Sequence, residues 1–258
     1  MTQVPPLGLL VVLVAVALAS GVGCTTIGPG GIFATIALYA LTPLSSAEVA
    51  GTAHVTFVGV GVVGAVGYAR SGELLGGEGR ALAAILSATS VLGALAGARL
   101  NAAVSRELFG VLLGGVAAAT GATLLYRQRR DLEPVVAVDA HRGRDRLLLG
   151  ALGLGLGAAA GLVGVGGPVL AVPALVVLGT PVLLAVGVAQ VQAIFISGFA
   201  GLGYLSYGAV SPVYALIVGV PLAIGAIAGW VIAHRVDPER LKAALGVVLL
   251  PVGAYLMV

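Results

Sequence analysis

Apolar residues run along this chain in long blocks with few polar interruptions, and the blocks recur in the same order. An apolar stretch at 7–23 meets a glycine cluster and then a short apolar piece at 31–43; a second stretch at 147–163 does the same before a short piece at 168–179. Three longer segments follow each short piece: 46–69, 80–99 and 104–126 in the first half, and 182–206, 212–233 and 239–257 in the second. A spanning helix needs about 20 apolar residues, because each adds 1.5 Å across roughly 30 Å of hydrocarbon. The long segments meet that length and the short pieces do not. Each half is therefore predicted to open with a broken or re-entrant helical hairpin and to continue with three transmembrane helices.

The two halves are copies. Sliding the sequence on itself by 136 positions lays Gly28, Gly30 and Gly31 on Gly164, Gly166 and Gly167 without a gap. The same offset matches Gly67, Tyr68 and Gly72 to Gly203, Tyr204 and Gly208, and Gly93, Arg99 and Gly110 to Gly229, Arg235 and Gly246. Glycine-rich composition produces scattered glycine matches, but not a tyrosine pair and an arginine pair in one register. A fixed internal period marks a duplicated structural unit. The units are 1–126 and 147–258, joined by a basic linker at 127–146.

Composition agrees with lipid as the solvent. Charged residues make up 9% of the chain, against about 25% in soluble domains, and the mean hydropathy is +1.13. So few charges cannot cover a water-soluble particle of this size. The fold class expected is an all-α polytopic membrane protein, inserted in the lipid bilayer. Met1–Pro6 carries no Lys or Arg, which argues for a retained first helix over a cleaved signal peptide. The single cysteine, Cys24, excludes an internal disulfide framework and a cysteine-rich metal site; no cofactor or metal is expected.

Charge placement then sets the orientation. With loops 70–80, 127–146 and 234–242 on one side, that side collects 11 of the 13 Lys and Arg residues, leaving only Arg99 and Arg106 opposite. The positive-inside rule then favours two inverted repeats, with the basic loops in the cytoplasm. Arg residues in 127–146 alternate with Asp131, Glu133, Asp139 and Asp145, the pattern of a solvated connector rather than a nucleic-acid surface.

Inverted repeats with broken helices are the architecture of secondary transporters, with substrate held at the midplane between the repeats. Backbone that leaves a helix in lipid needs partners for its N–H groups, and the N-terminus of the following half-helix carries partial positive charge. Gly28-Pro29-Gly30-Gly31 and Gly164-Val165-Gly166-Gly167 are accordingly expected to present backbone N–H groups to one small anion. Polar residues inside the next segment of each half extend the expected substrate site: His54 and Thr56, which align with Gln190 and Gln192. His54 is also the candidate for carrying a coupling proton, a sodium ion being the other candidate coupling species. Beside these readings stand plainer ones: glycines that only kink or pack helices, and polar side chains that only join them. Cys24, Thr25 and Thr26 precede the first glycine cluster, and Glu48 lies at the membrane edge.

At these residues the chain resembles the TauE/SafE family of sulfite/organosulfonate exporters. The resemblance rests on GPGG at 28–31, GLVGVGGPVLAVPAL at 161–175 and the Tyr-x-x-x-Gly ends at Tyr68/Gly72 and Tyr204/Gly208, and it covers nearly the whole chain. The first half departs from it with Ile32 and Ala37 where Pro168 and Pro173 fall. The resemblance implies a multi-pass protein of a prokaryotic cell (inner) membrane, moving sulfite, sulfoacetate or a taurine-like sulfonate, and is compatible with a homo-oligomer. An anion channel using the same glycines is the alternative. An intramembrane protease built on Ser197 and His234 is disfavoured, because His234 lies beside Arg235 at the end of its segment, at the wrong depth for Ser197.

Overall fold

The computed structural model of the chain describes residues 5–130, 140, 142–236 and 238–257. Their helices are α1 (Leu7–Thr26), α2 (Ile32–Leu41), α3 (Ser46–Arg70), α4 (Gly77–Asn101), α5 (Arg106–Arg130), α6 (Gly143–Val163), α7 (Gly167–Val177), α8 (Val182–Ser206), α9 (Pro212–Ala233) and α10 (Pro238–Leu256), with a 3-10 turn at Pro29–Gly31. The described residues contain no strand. Seven of the helices are long and apolar enough to cross a membrane: α1, α3, α4, α5, α6, α8 and α9. Of the expected linker, 131–139 and 141 lie outside the described residues; its two ends are helical, continuing α5 to Arg130 and starting α6 at Gly143.

The helix ends follow local chemistry. At α3, Ser45 and Glu48 form a capping box, each side chain taking the other's backbone N–H. Glu48 is thereby accounted for as a half-buried helix cap. α1 runs three residues past the predicted boundary, to Thr26. Thr25 and Thr26 donate back to the carbonyls of Gly21 and Val22, four residues earlier, and onward to Ala226 and Gly229 of α9. Their hydroxyls join helices. At the far end of α2, the guanidinium of Arg106 donates to the carbonyls of Tyr39, Thr42 and Leu44, closing the half-helix where its last carbonyls have no partner of their own.

The repeats interlock. Glycines bring backbones together: a Cβ on Gly93 would sit 2.0 Å from the Leu154 carbonyl oxygen, and one on Gly157 would sit 2.2 Å from that of Ser90. Along this α4–α6 contact Leu86 meets Gly153, Ser90 meets Gly157 and Ala94 meets Gly161, so the two helices run parallel. The same interface recurs between α9 and α1, where Gly225 meets Leu18 and Gly229 meets Val22 and Thr25. By contrast α3 and α8 run antiparallel: Gly51 meets Tyr204, Gly61 meets Ile194, and Gly187 meets Tyr68. α5 and α10 are antiparallel too, with Gly114 against Gly253 and Gly121 against Gly246. Large apolar side chains such as Leu92, Leu154, Leu202 and Leu216 point outward, as lipid-facing residues do.

Candidate functional site

Both hairpins break at a glycine whose backbone only glycine adopts easily. Gly28 has φ +98° and Gly164 has φ +67°. At each, the chain closes α1 or α6 with paired bonds to one carbonyl: Ile27 and Gly28 donate to Gly23, and Gly164 and Val165 donate to Ala160. Pro29 and Pro168 then open the next helical turn, where the missing N–H costs nothing. The short pieces are true half-helices. With 10 and 11 residues, α2 and α7 are about 15 Å long, half the hydrocarbon thickness.

Side-chain donors at matching positions reach the last carbonyls of α1 and α6, in the second half adding to the backbone bonds already made to Ala160. Gln190 Nε2 donates to Cys24 O at 2.8 Å, and His54 Nε2 lies 3.2 Å from Ala160 O. Tyr68 donates to Thr25 O at 2.6 Å, and Tyr204 to Gly161 O at 2.8 Å. Donors and acceptors in each pair are related by the 136-residue offset, so one capping scheme is built twice. The tyrosines serve their own half, whereas His54 and Gln190 reach across to the other. The second break has further donors: Thr35 to Gly164 O at 2.6 Å and Asn101 Nδ2 to Leu162 O at 2.7 Å.

A carbonyl only accepts, so His54 carries its proton on Nε2. Nδ1 lies 3.3 Å from Ser197 Oγ, a hydroxyl that donates to the neutral ring and can accept from a protonated one. The imidazole is fully buried and stacks on Tyr204, with centroids 6.0 Å apart. Ser197 thus pairs with His54 and not with His234, which bonds Glu73 and the Trp230 carbonyl at the end of α9.

The predicted site residues separate into groups. The two glycine turns converge on the same edge of the Phe57 ring: a Cβ on Gly31 would lie 3.1 Å from Phe57 Cε1, and one on Gly166 would lie 3.1 Å from Cδ1. The other cluster glycines face protein as well, Gly28 at Val172, Gly30 at Gly23, Gly164 at Ala50 and Gly167 at Ala193. The volume freed by each missing side chain is therefore filled by packing. Gln190 and His54 join the breaks. Thr56 does not: its hydroxyl donates to Ala53 O in its own helix, and its methyl lies against Gly219. Gln192 is fully buried with neither amide atom partnered, and Gln190 Oε1 is likewise unpartnered. Buried polar atoms without partners are rare and call for an explanation; Ser20, Ser87, Asn101 and Ser211 each carry one as well.

Phe57, Tyr68, Tyr204 and Thr35 carry no site role in the sequence reading. The Tyr68/Tyr204 match was the available signal, since a buried tyrosine hydroxyl needs a partner. Phe57 sends no such signal, because its repeat equivalent is Ala193. Among the described residues no group of three or more His, Cys, Asp or Glu side chains is placed to hold a metal.

No curated protein and no solved structure matches the chain. A family model described as "Sulfite exporter TauE/SafE" matches residues 13–256. With its helical membrane architecture and near-complete match, the chain belongs to the sulfite exporter TauE/SafE family of membrane transporters.

Proposed function

We propose that the protein is a secondary transporter that carries a small sulfur oxyanion or organosulfonate across the cytoplasmic membrane, with the anion at the two helix breaks. One observation carries this reading: the negative, carbonyl ends of both breaks are covered by side-chain donors, while the N-termini of the half-helices are not so neutralised by carboxylates. The first N–H groups of a helix have no partner within it, and its N-terminus acts as roughly half a positive charge. Two such ends, whose glycine turns converge on the Phe57 ring, make a donor-rich centre for an anion. The antiparallel pairing of α3 with α8 and of α5 with α10 supports inverted repeats, since equivalent helices packed antiparallel are related by an axis in the membrane plane. In this reading His54 is the residue that takes up a coupling proton, at Nδ1.

The test is flux in proteoliposomes holding the purified protein. Saturable uptake of sulfite or sulfoacetate, blocked by excess of the unlabelled anion and driven by an imposed proton or sodium gradient, is the expected result. Flux that ignores every ion gradient would identify a channel; absence of any sulfur-anion flux or binding would overturn the proposal.

A further inference from the structure

We infer that the second half holds an anionic phospholipid, its acyl chain in a groove between α5, α6 and α7 and its headgroup at the arginines that open α6. The groove has a volume of about 390 Å³ and is lined by Thr120 and Thr123 of α5, Leu148 and Leu152 of α6, and Leu170 and Pro173 of α7. Leu148 is exposed and Leu152 and Leu170 are half-buried, so the groove opens on the outer surface of the helices. Its walls are almost wholly apolar, and the Thr123 hydroxyl is already bonded to Ala119 O in its own helix. Walls of that kind suit a hydrocarbon chain and leave a polar solute without partners.

Charge decides which lipid. Arg142, Arg144 and Arg146 are all exposed at the start of α6, and Asp145 is the acidic residue among them. Arg146 is tied through Nε to Ala140 O, whereas Arg144 stands in register with the groove. Arg144, Leu148 and Leu152 are four residues apart and share one face of α6. Helical side chains lean toward the helix N-terminus, and a long arginine stem runs along apolar surface to bring its charge to the polar level. In the orientation favoured by the basic loops, that level belongs to the cytoplasmic leaflet, where anionic lipids attract basic side chains. The first half supplies a comparison. A groove of about 370 Å³ lies between α1, the start of α2 and α10, the repeat equivalents of α6, α7 and α5, and Val16, the equivalent of Leu152, lines it. Pro6, Gly8 and Leu10 stand there in place of the three arginines. The groove is thus built twice and charged once.

Lipid retention by the purified protein tests this. Native mass spectrometry follows the binding of phosphatidylglycerol, and of phosphatidylcholine with the same acyl chains, to wild type, Arg144→Gln and Ala119→Phe. Ala119 lines the groove from α5 and is exposed, so a phenyl ring there fills the seat of the acyl chain without changing charge. Wild type should hold one phosphatidylglycerol more tightly than phosphatidylcholine. Arg144→Gln should reduce that preference about fivefold, the effect of one surface cation on an anionic lipid. Ala119→Phe should weaken the binding of both lipids. Equal retention of the two lipids by wild type overturns the proposal, as does phosphatidylglycerol binding left unchanged by either variant. A lipid-free dimer that Ala119→Phe splits into monomers also overturns it, and assigns the groove to a second copy of the chain. Arg144→Gln alters only an exposed side chain, so the test stands even where Ala119→Phe fails to fold.

Discussion

The Nε2 atom of His54 lies 3.2 Å from the carbonyl oxygen of Ala160, 106 residues away in the other half of the chain. Gln190 repeats the contact in reverse, from the second half to Cys24. A glutamine is thus already used in this fold for the job His54 does. His54→Gln should fold and melt close to wild type, whereas His54→Leu removes the third donor to Ala160 O and the partner of the Ser197 hydroxyl and should cost about 1 kcal/mol. Melting of the three proteins in one detergent checks this. If His54 also carries the coupling proton, His54→Gln should flatten the pH dependence of flux; an unchanged profile returns the histidine to its capping role alone.

The glycine turns make different predictions at different positions. At Gly30 a new Cβ meets the Cα of Gly23 at 2.4 Å, backbone that cannot yield, so Gly30→Ala should fail to fold or melt far below wild type. At Gly166 the neighbour is the Phe57 ring at 3.1 Å, a side chain able to shift by a few tenths of an ångström. Gly166→Ala should fold, with a modest loss of stability and at least about tenfold weaker anion binding if the turn meets the substrate. Phe57→Leu in that background should relieve the contact and restore stability. A Gly166→Ala protein that binds as wild type shows that the second turn is packing alone.

A test of a different kind lies at the end of α9. His234 Nδ1 faces the Trp230 carbonyl at 2.8 Å and Nε2 faces Glu73 at 2.9 Å, so both ring nitrogens meet acceptors and the contact fits an imidazolium. The Trp230 carbonyl does most to raise the pKa of His234; partial burial opposes it and Glu73 adds to it. Partial burial pushes Glu73 upward, but the nearby Ser71 hydroxyl and the bond from His234 outweigh it and hold the carboxyl below its usual range. The signs follow. A raised histidine stabilises the fold below its ordinary pKa and loses that effect as pH rises through the folded value; a lowered carboxyl does so above its ordinary pKa and loses it as pH falls. The pair should contribute most between the two ranges, at mildly acidic pH. The melting difference between wild type and His234→Gln should peak there and shrink toward alkaline pH; a difference independent of pH would exclude the ion pair.

Orientation in the membrane is open to labelling. With inverted repeats, single cysteines in 99–106 and 207–211 should react with an impermeant reagent from outside, and those in 127–146 only after permeabilisation. The experiment needs Cys24→Ala as background. Labelling of both 99–106 and 234–242 from outside contradicts the inversion.

Much of the architecture was legible because it is written in lengths and periods. The apolar runs are long enough to be helices in lipid, the two short ones follow glycine clusters, and a single offset aligns one half of the sequence with the other. Boundaries shifted by a few residues where a side chain intervened, as when the Thr25 and Thr26 hydroxyls carried α1 forward to Thr26. The site was legible only by residue type. Buried histidine and glutamine must find partners, but the partners here are carbonyls more than 100 residues distant, fixed by packing that no local pattern encodes. Thr56 and Gln192 align in the sequence, yet a threonine hydroxyl can turn back onto its own helix and a glutamine amide is too long to do so. Ser197 stood out beside the wrong histidine for the same reason: its depth in the bilayer was readable and its neighbour on α3 was not.

The exchange of helices between the repeats also bears on how the protein is made. α1 finds its parallel glycine-lined neighbour in α9, and α4 finds its own in α6, so the first half is not complete when it leaves the ribosome. The backbone-to-backbone grooves at Gly21, Gly93 and Gly97 stay open to lipid, or to holding factors, until residues 143–163 and 212–233 have been inserted. Assembly is then obligatorily post-insertional for the first repeat. A gene cut within 131–139 should yield two fragments that accumulate only when both are expressed together.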